Sequence, residues 1–472
     1  MPVDWNGLRA TAANNVQLQT GRERKDERMV DLLIRNVMVL QLREEQAQVL
    51  PDHEIALREN RIELIAPSGT IDPSRAKADI DAAGQLAMPG FINTHAHVPM
   101  ALWRGLGEDV NIERWFNDYI WHLEANLLPE DVYWGMQLGL LEMIEAGITA
   151  VADHYWHMEG AARAVEKAGT RALLGQAMFG ANGIEQIDET AAFAQRWAGA
   201  AGGRIRTILA PHAPYTCDDD FLRKCAKKAE QIGSGIHIHA AETSEQTRAS
   251  LARRGQTPIA VLEACGIFQA PTLLAHALGA TPGDLEILAD LRTPVGIAHC
   301  PKTYAKLAMG YNNLVEWRAL GIAVGLGTDG AVSNNTLDLW EAMRLTALGQ
   351  KQLTGDAEKL TIPQALTIAT AESAQVYGQP QALGDLSPGK LADIILVDLS
   401  GTHHFPLNSV TASLVYNARA CDVRTVICDG NVIMREREHL TLDKDEIIAN
   451  IAPRLARLRR RDAAAGIQTY NP

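Results

Sequence analysis

The chain has 472 residues, 47% hydrophobic and 21% charged. That length admits two or three domains or one large barrel with an appendage, and that balance excludes a disordered, collagen-like or coiled-coil chain. Acidic side chains outnumber basic ones, 57 to 44, and the formal charge of −13 excludes a basic footprint for nucleic acid or an anionic membrane.

Residues 1–29 are polar, with no apolar core of a secretory signal, and read as an arm. No later run approaches the ~20 apolar residues of a membrane span. Six scattered cysteines without a CxxC pair point to a reduced, cytoplasmic setting. From Asp31 the pattern turns to strand-length runs, DLLIRNVMVL and HEIALRENRIELIA, with Glu59-Asn60 as a hairpin tip.

From Leu86 to Leu383 short apolar runs alternate with helical stretches. The runs are AMPGFINTH, AVADHYW, RALLGQAM, RTILAPH, GIHIHAA, TLLAHA, PVGIAH and IAVGLG. The helix EDVYWGMQLGLLEMIEAG carries helical apolar spacing and ends on Gly147 as a C-cap. Eight strands, each followed by a helical stretch, predict an α/β fold: a (β/α)8 TIM-like barrel over residues 86–384. A doubly wound sheet would carry a Gly-rich turn after its first strand, and none is present. Strand texture returns in ADIILVDL and in VRTVICDGNVIM, where Asp429-Gly430 marks a hairpin. Residues 30–85 and 385–440 therefore predict one small β-sandwich domain built from both chain ends. Residues 441–472 read as a C-terminal helix and tail, rich in Ile, Leu and Arg over 443–461, that caps the β-domain or joins a subunit interface.

Polar groups terminate the barrel strands, where a barrel places its active site. His95 and His97 close the first, and their spacing of two puts both on one face. HIHAAE, from His237 through His239 to Glu242, closes the fifth; His276 ends the sixth, His299 the seventh, and Gly327-Thr328-Asp329-Gly330 the eighth. Each alone has an ordinary explanation as a structural histidine, a helix cap or a turn residue. Together, in this order, they describe a cation site. A divalent cation lowers the pKa of bound water to ~7. A carboxylate three residues from a metal histidine could then take that proton and pass it to a substrate nitrogen.

The motifs PGFINTHAH, GIHIHAAETSEQ, LLAHA, GLGTDGAVSNN and GDLSPGKLADIILVD resemble the amidohydrolase superfamily over about Asp31 to Met434. The branch resembled is the cytosine/adenosine-deaminase-like group, with its methylthioadenosine/S-adenosylhomocysteine deaminases and triazine chlorohydrolases. The resemblance implies that His95, His97, His239 and Asp329 ligate one divalent metal per subunit. It makes Glu242 the proton shuttle and sets His276 beside the reacting carbon, with Asp329 also touching the water. Zinc suits such a nitrogen and oxygen set, and iron or cobalt would also fit. Binuclear relatives use a fourth-strand lysine; IRTILAPHAP offers none at its end, so a mononuclear site is expected.

For substrate, the resemblance matches Trp115 and Glu124 to ribose contacts and His212 to a purine contact. Deaminases of S-adenosylhomocysteine grip the amino-acid carboxylate with an Arg where this chain has Gln176, and Gln cannot supply a charged clamp. Lys302 and Tyr304, where relatives have a smaller motif, are expected to reshape the mouth, with His122, Trp156 and His157 as aromatic walls and Cys300 as a small buried thiol. The expected function is hydrolytic deamination of a purine nucleoside or similar N-heteroaromatic amine. The alternatives are cleavage of a urea, amide, carbamate or triazine bond at the same site, and a barrel kept for binding or assembly. The partners expected are a small-molecule substrate and, by family resemblance, further copies of the chain, as a dimer or larger homo-oligomer.

Overall fold

The computed structural model describes residues 29–43, 46–461 and 466–472. The expected arm lies outside them except for Met29. Strands β1 (Val30–Arg43), β2 (Gln46–Arg58), β3 (Arg61–Pro67), β4 (Ala76–Asp81) and β5 (Gln85–Pro89) open the chain. The central part carries β6 (Phe91–His97), β7 (Ile148–Tyr155), β8 (Arg171–Met178), β9 (Ile205–Thr207), β10 (Ala210–Pro211), β11 (Ile236–Ala240), β12 (Thr272–His276), β13 (Val295–His299), β14 (Ala323–Leu326) and β15 (Asp329–Gly330). Then come β16 (Ile394–Asp398), β17 (Val423–Cys428), β18 (Asn431–Arg435) and β19 (Glu438–His439). Among the described residues no helix is long and apolar enough to cross a membrane.

All eight apolar runs of the central region fall on strands, and these pair in parallel with helices between them. β7 is buried along its whole length, as a parallel strand covered on both faces must be. The helix Pro129–Glu145 ends as expected: Gly147 takes φ 82° just beyond its C-cap, a conformation costly to any residue with a Cβ.

The ladder is not the single closed ring the sequence suggests. Six strands order as β10-β8-β7-β6-β15 with β9 also on β8, and four as β11-β12-β13-β14. One parallel bridge, Leu209 to Ile236, links them. On the other side the eighth run breaks after Leu326 and resumes at Asp329, whose φ of 60° turns the chain before it pairs with β6. The architecture observed is thus α/β with parallel sheets and covering helices.

The chain ends meet in one nine-stranded mixed sheet, ordered β19-β18-β17-β16-β5-β1-β2-β3 with β4 on β1. Two separately bonded layers of a sandwich were expected. The reason for the difference is β1, whose pairing with β2 shifts register at Ile34/Val37 and Val37/Val39, with Asn36 at φ 55°. Such bulges bend a strand without breaking it. β1 therefore pairs with β4 through its first half and with β5 through its second. Both expected hairpins form, and Asp429 and Gly430 take the positive φ values, 53° and 76°, of the tight turn their sequence announces. The helix Lys444–Ile451 packs on Pro129–Glu145, and Glu446 pairs with Lys167 at 2.9 Å, so this stretch braces the central region.

Arg171, at the start of β8, ties the two parts together. Its guanidinium donates to both oxygens of Asp393 at 2.9–3.1 Å and to Asp429 at 2.7 Å, and Arg171 and Asp393 are almost wholly buried. The pair survives burial because bidentate bonds offset lost hydration. Arg171→Ala would strand two carboxylates, and we expect about 3–5 kcal/mol of destabilisation, read as a lower unfolding midpoint in denaturant. A loss below 1 kcal/mol would show the clamp to be dispensable.

Candidate metal centre and active site

The histidines are placed by strand geometry. His95 and His97 leave β6 on one face, His239 stands near the end of β11, and Asp329 lies beside Ala96 through the β15–β6 pairing. Ligand atoms of His95, His97 and His239 lie within 4.8 Å of one another, as do those of His95, His276 and Asp329. Asp329 Oδ1 is 3.4 Å from His97 Nε2 and 3.8 Å from His95 Nε2. Donors ~2.1 Å from one tetrahedral ion stand about 3.4 Å apart.

Each ring is aimed by its other nitrogen. His97 Nδ1 meets the His154 carbonyl at 2.6 Å, His239 Nδ1 the His212 carbonyl at 2.9 Å, and His95 Nδ1 the ring of His237 at 2.9 Å. The Nε2 atoms are left facing one point, and that of His95 is buried without any partner. Such outer partners fix ring orientation in metal sites. Burial draws His97 and His239 down to about 4 and His95 well below its ordinary value, so all three rings are neutral at pH 7 with a lone pair to give. Burial raises the Asp329 carboxyl, a cost that a cation would reverse. The donor set fits a divalent ion.

The backbone is held tightly around these groups. His276 and Asp329 take φ values of 77° and 60°, sparsely populated for residues with a side chain. A Cβ on Gly330 would sit 2.5 Å from Met100 Sδ, and one on Gly327 would sit 2.8 Å from Cys300 Sγ and 2.9 Å from the His95 carbonyl. The GLGTDG glycines thus let the chain pass behind the site, where Cys300 is a small buried filler.

Glu242 is no helix cap. Thr243 caps the helix Ser244–Arg254, and Glu242 stands before it, buried, with Oε1 3.8 Å from His276 Nε2. Burial and the nearby Asp329 carboxylate raise its carboxyl to about 8. Gln246, which the sequence did not single out, clamps it: Gln246 Nε2 donates to Glu242 Oε2 at 3.2 Å, and Gln246 Oε1 accepts the Glu242 N–H at 2.9 Å. The signal was available as an i,i+4 Glu–Gln pair.

A cleft of about 550 Å³ runs from these groups past Trp115, Glu124, Trp156 and His212. Glu124 accepts from Trp156 Nε1 at 3.2 Å, and burial raises its carboxyl to about 7. His212 stacks on Phe179 at 4.4 Å, with Nδ1 2.9 Å from Thr216 Oγ1. His154, Phe116 and Trp121 also line the cleft and were not anticipated.

Other expected residues lie elsewhere. Gln176 turns its Oε1 to the Met158 N–H (3.3 Å), away from the cleft. Lys302 pairs with Glu341 at 2.6 Å and Thr336 at 2.9 Å, so it does not shape the mouth. Tyr304 is fully buried behind His276, its hydroxyl 3.4 Å from Nδ1. His122 and His157 are not among the cleft walls. A separate group, His403, His404 and Asp422, spends its Nε2 atoms on the Asp422 carboxylate at 2.9 and 3.2 Å.

Against known proteins, the Amidohydrolase family model matches residues 86–433. A 5-methylthioadenosine/S-adenosylhomocysteine deaminase of Pelotomaculum thermopropionicum is 43% identical over 92% of this chain and 100% of its own length. A 5'-deoxyadenosine deaminase of Methanosarcina acetivorans is 38% identical over 89% of this chain and 96% of its own. The crystal structure of an adenosine deaminase from Xanthomonas campestris with bound zinc superposes with a TM-score of 0.85 at 30% identity, covering 92% of this chain and 99% of that one. With the family model spanning most of the chain and near full-length relatives on either side, this chain belongs to the amidohydrolase family.

Proposed function

We propose that the protein is a zinc-dependent aminohydrolase that removes the ring amine of an adenosine-type nucleoside bearing a small, uncharged 5′ group. The observation that carries this is the convergence of three neutral imidazoles and Asp329 on one point, with buried Glu242 as the next polar group and an aromatic cleft leading on to Glu124. The named activities of the relatives support the same reaction class. In this reading residues 86–384 act as the catalytic unit, with 30–85 and 385–440 as the appended β-domain.

His95, His97, His239 and Asp329 would hold the ion. When bound, it would supply Lewis acidity and bring the pKa of water to near neutrality. Glu242 accepts a proton from water at its carboxylate and passes it to the ring nitrogen, and the second proton of that water goes to the amine, so that the C–N bond breaks with ammonia leaving and a ring carbonyl in its place. His276, fixed by Tyr304, faces the group under attack. At the far end Glu124, oriented by Trp156, is an acceptor for sugar hydroxyls, and the free Nε2 of His212 meets a ring nitrogen. No Arg or Lys lines the cleft among the described residues, so a 5′ amino-acid carboxylate finds no cation there.

Three outcomes test this. Purified enzyme should release ammonia from 5′-deoxyadenosine or methylthioadenosine with kcat/KM about 10- to 100-fold above that for S-adenosylhomocysteine, the value of one missing charged hydrogen bond. Equal rates would remove the argument from the uncharged cleft. Glu242→Gln should lower kcat by about 10²- to 10⁴-fold while leaving zinc content, read by atomic absorption, unchanged; retained activity would return Glu242 to a structural role. Chelation should lower the melting temperature, and the gain on adding zinc should grow from pH 6 to pH 8. Burial draws the His97 and His239 rings down to about 4, below that window, whereas it raises the carboxyls of Asp329 and Glu242, whose charged forms a cation favours. Scanning calorimetry showing a gain that shrinks with pH would contradict the assignment.

A further inference from the structure

The segment 466–472 lies across the wall of the cleft. Tyr470 is 5% exposed, and its ring stacks on Phe116, a cleft residue, at 5.1 Å and 10° and meets Tyr215 edge-on at 5.4 Å. Its N–H donates to Asn117 Oδ1 at 2.8 Å, the Ile467 N–H to the Trp121 carbonyl at 3.2 Å, and Arg253 to the Pro472 carbonyl at 3.1 Å. The segment therefore joins two walls: the insert carrying Trp115, Phe116 and Trp121, and the helix Ser244–Arg254 that follows Glu242.

The contact with most chemical content is the hydroxyl. Gln246 Nε2 donates to Tyr470 Oη at 3.3 Å as well as to Glu242 Oε2 at 3.2 Å, while its carbonyl accepts the Glu242 N–H. An amide has two N–H donors and one carbonyl. Each is used here, and turning the amide over would set its carbonyl against the Glu242 carboxylate and its N–H groups against the Glu242 N–H. Glu242 itself selects this orientation of the amide, and Tyr470, by taking its second N–H, anchors Gln246 beside the Glu242 carboxylate. We propose that this segment is part of the active site and that Tyr470 is a positioning residue, fixing Glu242 through Gln246.

The inference rests on Glu242 as the proton carrier, and its test separates the two. In the full-length, zinc-loaded enzyme Tyr470→Phe keeps the stack on Phe116 and removes only the acceptor. We expect kcat for ammonia release to fall about 3- to 10-fold, the effect of one weakened hydrogen bond, with KM and melting temperature unchanged. Gln246→Ala should lower kcat further, and Y470F/Q246A should be no worse than Q246A alone, because the hydroxyl acts through that amide. A packing role predicts that Tyr470→Phe matches the parent and that only Tyr470→Ala is impaired. That result, or additive losses in the double variant, overturns the proposal. A readout free of turnover is the carboxyl infrared band of Glu242, identified by difference against Glu242→Gln. It should move in Tyr470→Phe, and a band left in place also overturns the link. Should the parent release no ammonia from any nucleoside, the functional reading fails while the infrared comparison still decides the contact.

Discussion

A buried imidazole presents a bare nitrogen only if its other nitrogen is held. That constraint organises the centre of this molecule. The carbonyls of His154 and His212 take the Nδ1 atoms of His97 and His239, and His237 takes that of His95. Those partners come from the end of β7, the residue after β10 and the start of β11, so the parallel order of strands is what aims the rings. Desolvation then keeps the rings neutral, which is the state a cation needs. The fold supplies direction and the low polarity of the interior supplies charge state.

Carboxyl groups in the same interior are pushed the other way. Glu242 and Glu124 both line the cleft and both rise, to about 8 and about 7, yet they meet different neighbours. Glu242 faces His276 and the Asp329 carboxylate, whereas Glu124 faces an indole N–H. One physical effect thus acts on two carboxyls in different surroundings, which the proposed reading uses as a proton carrier and as an acceptor for sugar hydroxyls.

The convergence of His95, His97, His239 and Asp329 was legible in the sequence because each closes an apolar run, and strand periodicity fixes which way it points. Residues in loops were less legible because distant partners set their direction. Lys302 looked like a mouth residue until Glu341 claimed it, and Gln176 turned to the backbone of Met158. Tyr470 had no periodic context at all, since Asn117, to which its backbone bonds, stands 353 residues away. The small β-domain was legible as strands and as hairpins but not as one sheet, because the bend in β1 depends on bulges whose register only the partner strands reveal.

The pairing of β5 with β16 sets Pro89 against Ile394. At the pace of synthesis, ~5–20 residues per second, that edge of β5 must wait roughly 15–60 s for its partner to leave the ribosome. The nascent chain therefore carries a half-built sheet through most of its own translation. For that interval the edge of β5 stays open to pairing with another chain.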